Sequence, residues 1–130
     1  MRLLFDTHVL LWWHDQPARL TETAYDAIND LGNDVFISVV NGWKIQIKAQ
    51  LGKLTLSKPL RVLLQEEQAT NGFKLLPVTI DHVYALDSLP LHHREPFDGL
   101  LIAQAHQEGL ILVTHDPKLF LTLYLCYCKC

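Results

Sequence analysis

Apolar residues along the chain fall into short strand-length runs separated by stretches of helical spacing. Arg2 to Phe5 has the length of a buried strand, and Asp6-Thr7-His8 ends it. Val9 to Trp13 begins a helix that Asp15-Gln16-Pro17 breaks. Thr21 is placed to cap a helix carrying Ala24, Ala27, Ile28 and Leu31 on one face, with Gly32 as its stop. Val35 to Ser38 is a second buried strand. Asn41 then caps a helix whose Trp43, Ile47 and Leu51 face the core, with Lys44 and Lys48 on another face and Gly52 at its end. Pro59 opens a further helix through Leu60, Leu63 and Leu64, closed by Asn71-Gly72. A third strand lies within residues 73–78, with Pro77 at its end, and a short helix follows over residues 81–89. Glu95 and Pro96 start the helix around which the rest is organised. Pro at the first helical position loses no hydrogen bond, and Asp98 at the third sits against the positive end of the helix dipole. Leu110 to Thr114 is the clearest strand, and the alternating tail over residues 121–130 suits an edge strand.

Strands that alternate with amphipathic helices predict an α/β fold, with a mostly parallel sheet covered on both faces. At 130 residues the chain is expected to be a single domain over residues 1–130. In such sheets a ligand site lies beyond the carboxyl ends of the strands, near a switch in strand order. Asp6 and Asp116 each follow a strand, and Asp98 sits at a helix N-terminus that opens on the same side. These three acids are the candidate site.

Composition adds exclusions. Hydrophobic residues make up 49% and charged residues 19%, which suits a globular chain. No apolar run approaches the ~20 residues needed to span a bilayer. The first apolar run is too short for a signal peptide, so a cytoplasmic protein without a membrane partner is expected. A net charge of −3 does not advertise nucleic-acid binding, so any nucleic acid needs a local basic patch or bound metal ions. Cys126, Cys128 and Cys130 crowd the last residues without a nearby histidine and are expected to be free thiols.

Carboxylates gathered in one crevice repel each other unless a cation neutralises them. An oxygen-only cluster suits Mg²⁺ or Mn²⁺, which can activate water and stabilise charge on a phosphoryl group. The implied chemistry is hydrolysis of a phosphodiester or similar ester. Thr114 and Ser38, near strand ends, can orient an acid or a metal-bound water. His115 can donate a proton to a leaving group, and His8 stands in the same relation to Asp6. His92-His93-Arg94 can approach phosphates, as can the set Lys44, Lys48 and Lys53. Trp12, Trp13 and Trp43 fit core packing better than base stacking.

Four fragments in order carry a resemblance: Leu3-Leu4-Phe5-Asp6-Thr7-His8, Trp43-Lys44-Ile45 with Leu51-Gly52-Lys53-Leu54, Glu95-Pro96-Phe97-Asp98, and Leu112-Val113-Thr114-His115-Asp116. Together they resemble PIN domains and, more narrowly, the VapC-like toxins of type II toxin–antitoxin systems. The resemblance implies a three-layer α/β/α sandwich and an endoribonuclease dependent on Mg²⁺ or Mn²⁺. It also implies a homodimer and a VapB-like antitoxin as partner. Asp6, Asp98 and Asp116 take the family's catalytic and metal-binding positions. The remaining acid of the family quartet falls on Lys44, where Trp43-Lys44-Ile45 replaces the usual Trp-Glu-Ile. Glu95 and Gly99 depart from the family's common Asp and Arg. The lysine leaves two expectations open: a working ribonuclease, or a weakened PIN domain that binds RNA or antitoxin without efficient cleavage. A haloacid dehalogenase-type domain fits less well, because position 8 is His rather than the second acid it needs. A receiver domain would want an acidic pair near the first strand and a phosphoacceptor aspartate after a later one, which the sequence does not offer.

Overall fold

The computed structural model describes residues 1–89, 95–116 and 127–129. Five strands form one parallel sheet: β1 (Arg2–Phe5), β2 (Asp34–Ser38), β3 (Lys74–Leu76), β4 (Ile111–Thr114) and β5 (Tyr127–Lys129). Their order is β3-β2-β1-β4-β5. The chain therefore builds outward from β1 in one direction and then returns to its other side. The switch lies between β1 and β4, where parallel sheets open a crevice at their carboxyl ends.

Alternation along the strands gives two cores. Leu3, Phe5, Val35, Ile37 and Val113 enter one, where Val9 and Leu10 of helix α1 (Thr7–Asp15) and Ala24 and Ile28 of helix α2 (Glu22–Asn29) meet them. Leu4 and Leu112 point the other way, onto Leu101, Ile102 and Ala105 of helix α6 (Pro96–Glu108). Helix α4 (Leu60–Asn71) adds Leu60 and Leu64 to the first face. Helix α5 (Ile80–Ala85) packs beside α6. This is the expected α/β architecture with helices on both faces. No helix among the described residues is long and apolar enough to cross a membrane.

Most predicted elements fall where the spacing put them. Thr21 caps α2 by accepting from the Ala24 N–H at 3.2 Å, and Gly72 ends α4 in the left-handed conformation that a Cβ would strain. The tail does supply an edge strand, although residues 117–126 and Cys130 lie outside the described residues.

Helix α3 (Val39–Gln50) is the main correction. Ser38, not Asn41, is its cap: the Ser38 hydroxyl accepts from the Val40 N–H, and the Asn41 side chain accepts from the Ser38 N–H. The helix thus starts earlier than expected, and a different face is buried. Trp43 is 54% exposed and Leu51 is also exposed, whereas Lys44 and Ile45 are buried. Leu31 is likewise not a core residue; α2 ends at Asn29, and Leu31 stands 99% exposed in the following turn.

Candidate active site

Register positions the first acid. Phe5 pairs with Val113, so the next residues, Asp6 and Thr114, lie side by side where both strands end. The Asp6 N–H donates to the Val113 carbonyl at 3.0 Å, and the Thr114 hydroxyl donates to Asp6 Oδ2 at 2.7 Å. Thr114 also accepts from the Asp116 N–H at 3.1 Å, which draws the start of the following loop toward the same oxygen atoms. Asn41, anchored by its part in the α3 cap, donates to the Phe5 carbonyl and the Thr7 hydroxyl. The turn from β1 into α1 is therefore fixed from two sides.

The second group comes from helices α3 and α6. Lys44 is 3% exposed, and its Nζ lies 2.6 Å from Glu95 Oε1 and 3.5 Å from Asp98 Oδ1. Glu95 precedes α6 as its cap residue and makes no side-chain cap bond, so its carboxylate is directed to the lysine instead. Burial pushes the Lys44 ammonium toward deprotonation, but its bond to Glu95 and the fields of Asp98, Glu95 and Asp6 outweigh that and raise its pKa. Burial acts oppositely on Asp98. It lifts that pKa, Lys44 pulls it down, and Glu95 and Asp6 lift it again, leaving it at about 6. Burial also works against ionisation of Glu95, yet the Lys44 contact holds its pKa below the ordinary value.

Asp6 and Asp98 are thus close enough to feel each other, with Lys44 between their fields. Asp116 is tied to the group by its backbone N–H, which donates to the Thr114 hydroxyl. The donor chemistry, carboxylates with one hydroxyl, is that of a hard divalent cation. The arrangement differs: among the described residues no three His, Cys, Asp or Glu side chains are grouped so as to hold a metal ion. A cation is already present there as the ammonium of Lys44. That ammonium balances charge on Glu95 and Asp98 that a metal ion would otherwise balance.

At the rim, His115 lies 34% exposed with its Nδ1 4.0 Å from Asp6 Oδ2 and without a hydrogen-bond partner among the described residues. His8 and Trp12, one turn apart on α1, pack against it. Burial is the main reason that the His8 pKa is lowered, with Lys48, Lys44 and His115 adding to the effect against Asp6. Trp43 covers the flank of the crevice, edge-on to Phe97 at 4.8 Å. Ser38 takes no part in the acid group; it donates to Gln104 in α6 and so holds α3 against that helix. His92, His93 and Arg94 lie outside the described residues. Periodicity gives Glu95 only a capping place and does not single out Arg19, whose guanidinium lies 4.4 Å over the Trp12 ring. Only the spacing of Glu95 to Asp98 signalled the first.

The model of the PIN domain family matches residues 3–122. The chain belongs to the PIN domain family. Among named relatives, this PIN domain is 27% identical over 118 residues to Ribonuclease VapC22 of Mycobacterium tuberculosis, covering 90% of this chain and 88% of that protein. Solved structures agree on the fold. VapBC2 from Rickettsia felis, bound to a DNA fragment from its promoter, superposes with a TM-score of 0.73 at 15% identity, over 98% of this chain and 97% of that one. VapBC-1 from nontypeable Haemophilus influenzae gives 0.66 at 15% identity, over 99% and 98%.

Proposed function

We propose that this PIN domain is an endoribonuclease that hydrolyses RNA phosphodiester bonds as the toxin of a toxin–antitoxin pair. Asp6, Asp98 and Asp116 are its catalytic acids, and Lys44 holds its turnover down. The name of VapC22 and the VapBC assemblies among the structural neighbours support the activity and a VapB-like antitoxin. A homodimer and a cytoplasmic location accompany that reading. The observation that carries it is the acid group at the β1/β4 switch, with Asp6 fixed by Thr114 and Asp98 facing it across Lys44.

The chain's own groups have definable parts. Thr114 keeps one Asp6 oxygen in place. Asp98, with a pKa of about 6, is largely ionised at neutral pH yet basic enough to accept a proton from an attacking water. Lys44 supplies a fixed positive charge that would stabilise negative charge building up on a phosphoryl oxygen. In the family arrangement Mg²⁺ or Mn²⁺ supplies that charge and activates water. Beside Lys44 the acids bind such an ion weakly, because the ammonium already neutralises Glu95 and Asp98.

The Lys44–Glu95 contact of 2.6 Å also favours the second reading, an RNA- or antitoxin-binding PIN domain with little cleavage. An RNA cleavage assay with Mg²⁺ or Mn²⁺ separates the two. The ribonuclease reading expects wild-type cleavage that Asp98→Asn abolishes. Absence of cleavage by the wild type, with cleavage gained in Lys44→Glu, favours the weakened-enzyme reading. Calorimetric metal titration tests the role of the lysine directly: Lys44→Glu binds Mg²⁺ at least about tenfold more tightly, the equivalent of about 1.4 kcal/mol. Equal affinities overturn the competition.

A further inference from the structure

Three side chains at the mouth of the crevice are left without a part by the acid chemistry: His8, Trp12 and Arg19. His8 and Trp12 project from successive turns of α1, immediately after Asp6. Their rings gather with His115, at centroid distances of 5.5 Å for His8–His115 and 4.5 Å for Trp12–His115. His115 in turn reaches to 4.0 Å from Asp6. The Arg19 guanidinium lies over Trp12 at 4.4 Å, the separation of a stacked planar group.

We propose that His8, Trp12 and His115 form a nucleobase platform beside the acid group, and that Arg19 occupies its stacking face until RNA arrives. This inference rests on the ribonuclease reading and adds the residues that seat the nucleotide next to the cut. Three observations carry it. The rings adjoin Asp6 and are tilted to one another, so a base stacked on the Trp12 face, with His8 and His115 at its edges, belongs to a nucleotide neighbouring the phosphate at the crevice. The group covering Trp12 is a flat cation whose one hydrogen bond among the described residues is long, Arg19 Nη1 to Gln16 Oε1 at 3.4 Å, so its removal costs little. A base stacked on an aromatic ring gains more than an exposed cation–π contact, and the released guanidinium then becomes available to a backbone phosphate. His8 is exposed, so its ring is open to an arriving nucleotide.

Core packing competes for Trp12, which also touches the apolar core. It makes no claim on the exposed His8, and it predicts no sensitivity to the base carried by an RNA. The test therefore varies the RNA as well as the protein. A short, end-labelled single-stranded oligonucleotide is bound in EDTA and followed by fluorescence anisotropy, with an abasic residue moved along it one nucleotide at a time. The platform predicts one position, next to the cleavage site, at which the abasic residue weakens binding by about tenfold. In Trp12→Leu and His8→Ala that position loses its advantage, so intact and abasic RNA bind alike. Equal binding of every abasic RNA by the wild type overturns the platform while leaving the ribonuclease reading intact. A wild type that neither binds nor cuts RNA overturns both.

Discussion

Glu67 and Asp98 are both buried helical carboxylates, and their surroundings differ in a way that separates support from chemistry. Glu67, on α4, has both oxygens occupied. Its Oε2 accepts from Trp13 Nε1 at 3.0 Å and Asn71 Nδ2 at 2.7 Å, and its Oε1 lies 2.7 Å from His14 Nδ1. One acid there answers several donors and ties α1 to α4. Among the described residues the balance around Asp98 is reversed: Asp98, Glu95 and Asp6 gather on one buried ammonium, with Lys48 acting on Glu95 as well. Satisfied burial stabilises a fold, whereas surplus charge of one sign waits for a cation or a substrate.

The largest test of that contrast is to remove the ammonium. Lys44→Met leaves Asp98 and Glu95 facing each other unpaired, and a loss of about 3 kcal/mol is expected in urea denaturation, partly offset as Asp98 takes up a proton. Lys44→Glu is expected to fall at least as far in EDTA and to recover with Mg²⁺, because the added carboxylate completes a site for the ion. The wild-type midpoint is expected to stay nearly constant across the same Mg²⁺ series. A wild type that gains as much from Mg²⁺ as Lys44→Glu would remove the idea that the lysine stands in for the metal.

The supporting carboxylate should respond differently. Glu67→Leu strands the Trp13 N–H and the buried His14 ring without their carboxylate, at a cost of about 2 kcal/mol. No divalent ion is expected to restore it, and the circular dichroism of the folded protein should survive. Recovery by Mg²⁺ would erase the distinction between the two regions.

The contrast extends to pH. Asp98 has a folded pKa of about 6 against an ordinary 3.8, so the native state holds its proton more tightly than the unfolded chain. Its contribution to stability is therefore full at low pH and declines as pH rises from about 4 through 6. Asp98→Asn escapes that decline. The difference in urea midpoint between Asp98→Asn and wild type should shift in favour of the variant between pH 4.5 and pH 7.5. A difference that stays flat would mean that Asp98 is not forced to ionise against its surroundings.

Much of this architecture was legible in the sequence because short apolar strands and the caps Thr21, Gly72 and Pro96 act locally. The acids at the ends of β1 and β4 followed from the same logic, since strand ends on one side of a parallel sheet share a crevice. Helix α3 resisted for a physical reason. Its apolar residues Trp43, Ile47 and Leu51 have good helical spacing, but spacing fixes a face only relative to itself. Which face turns inward was decided by the reciprocal Ser38–Asn41 cap and by the charge partners waiting for Lys44 on α6. A buried lysine cannot be inferred from hydrophobic periodicity, because its burial is set by carboxylates more than fifty residues away along the chain. The grouping of Arg19 over Trp12 escaped for a similar reason, being a contact across a 3-10 turn (Pro17–Arg19) rather than a feature of either element.

The smallest effect expected belongs to the residue that orients α3. Ser38→Ala removes the side-chain acceptor for the Val40 N–H, and a loss of about 1 kcal/mol is typical of such a cap. The same change frees Gln104, which also donates to the Pro77 carbonyl and so keeps one anchor. Because Ser38 holds the start of the helix that carries Lys44, its loss should loosen the Lys44–Glu95 contact without altering any charge. Calorimetry on Ser38→Ala should therefore register a modest gain in Mg²⁺ affinity over wild type, far below that of Lys44→Glu. An affinity identical to wild type would mean that the lysine is held by its carboxylate partners alone, and that the cap serves the fold only.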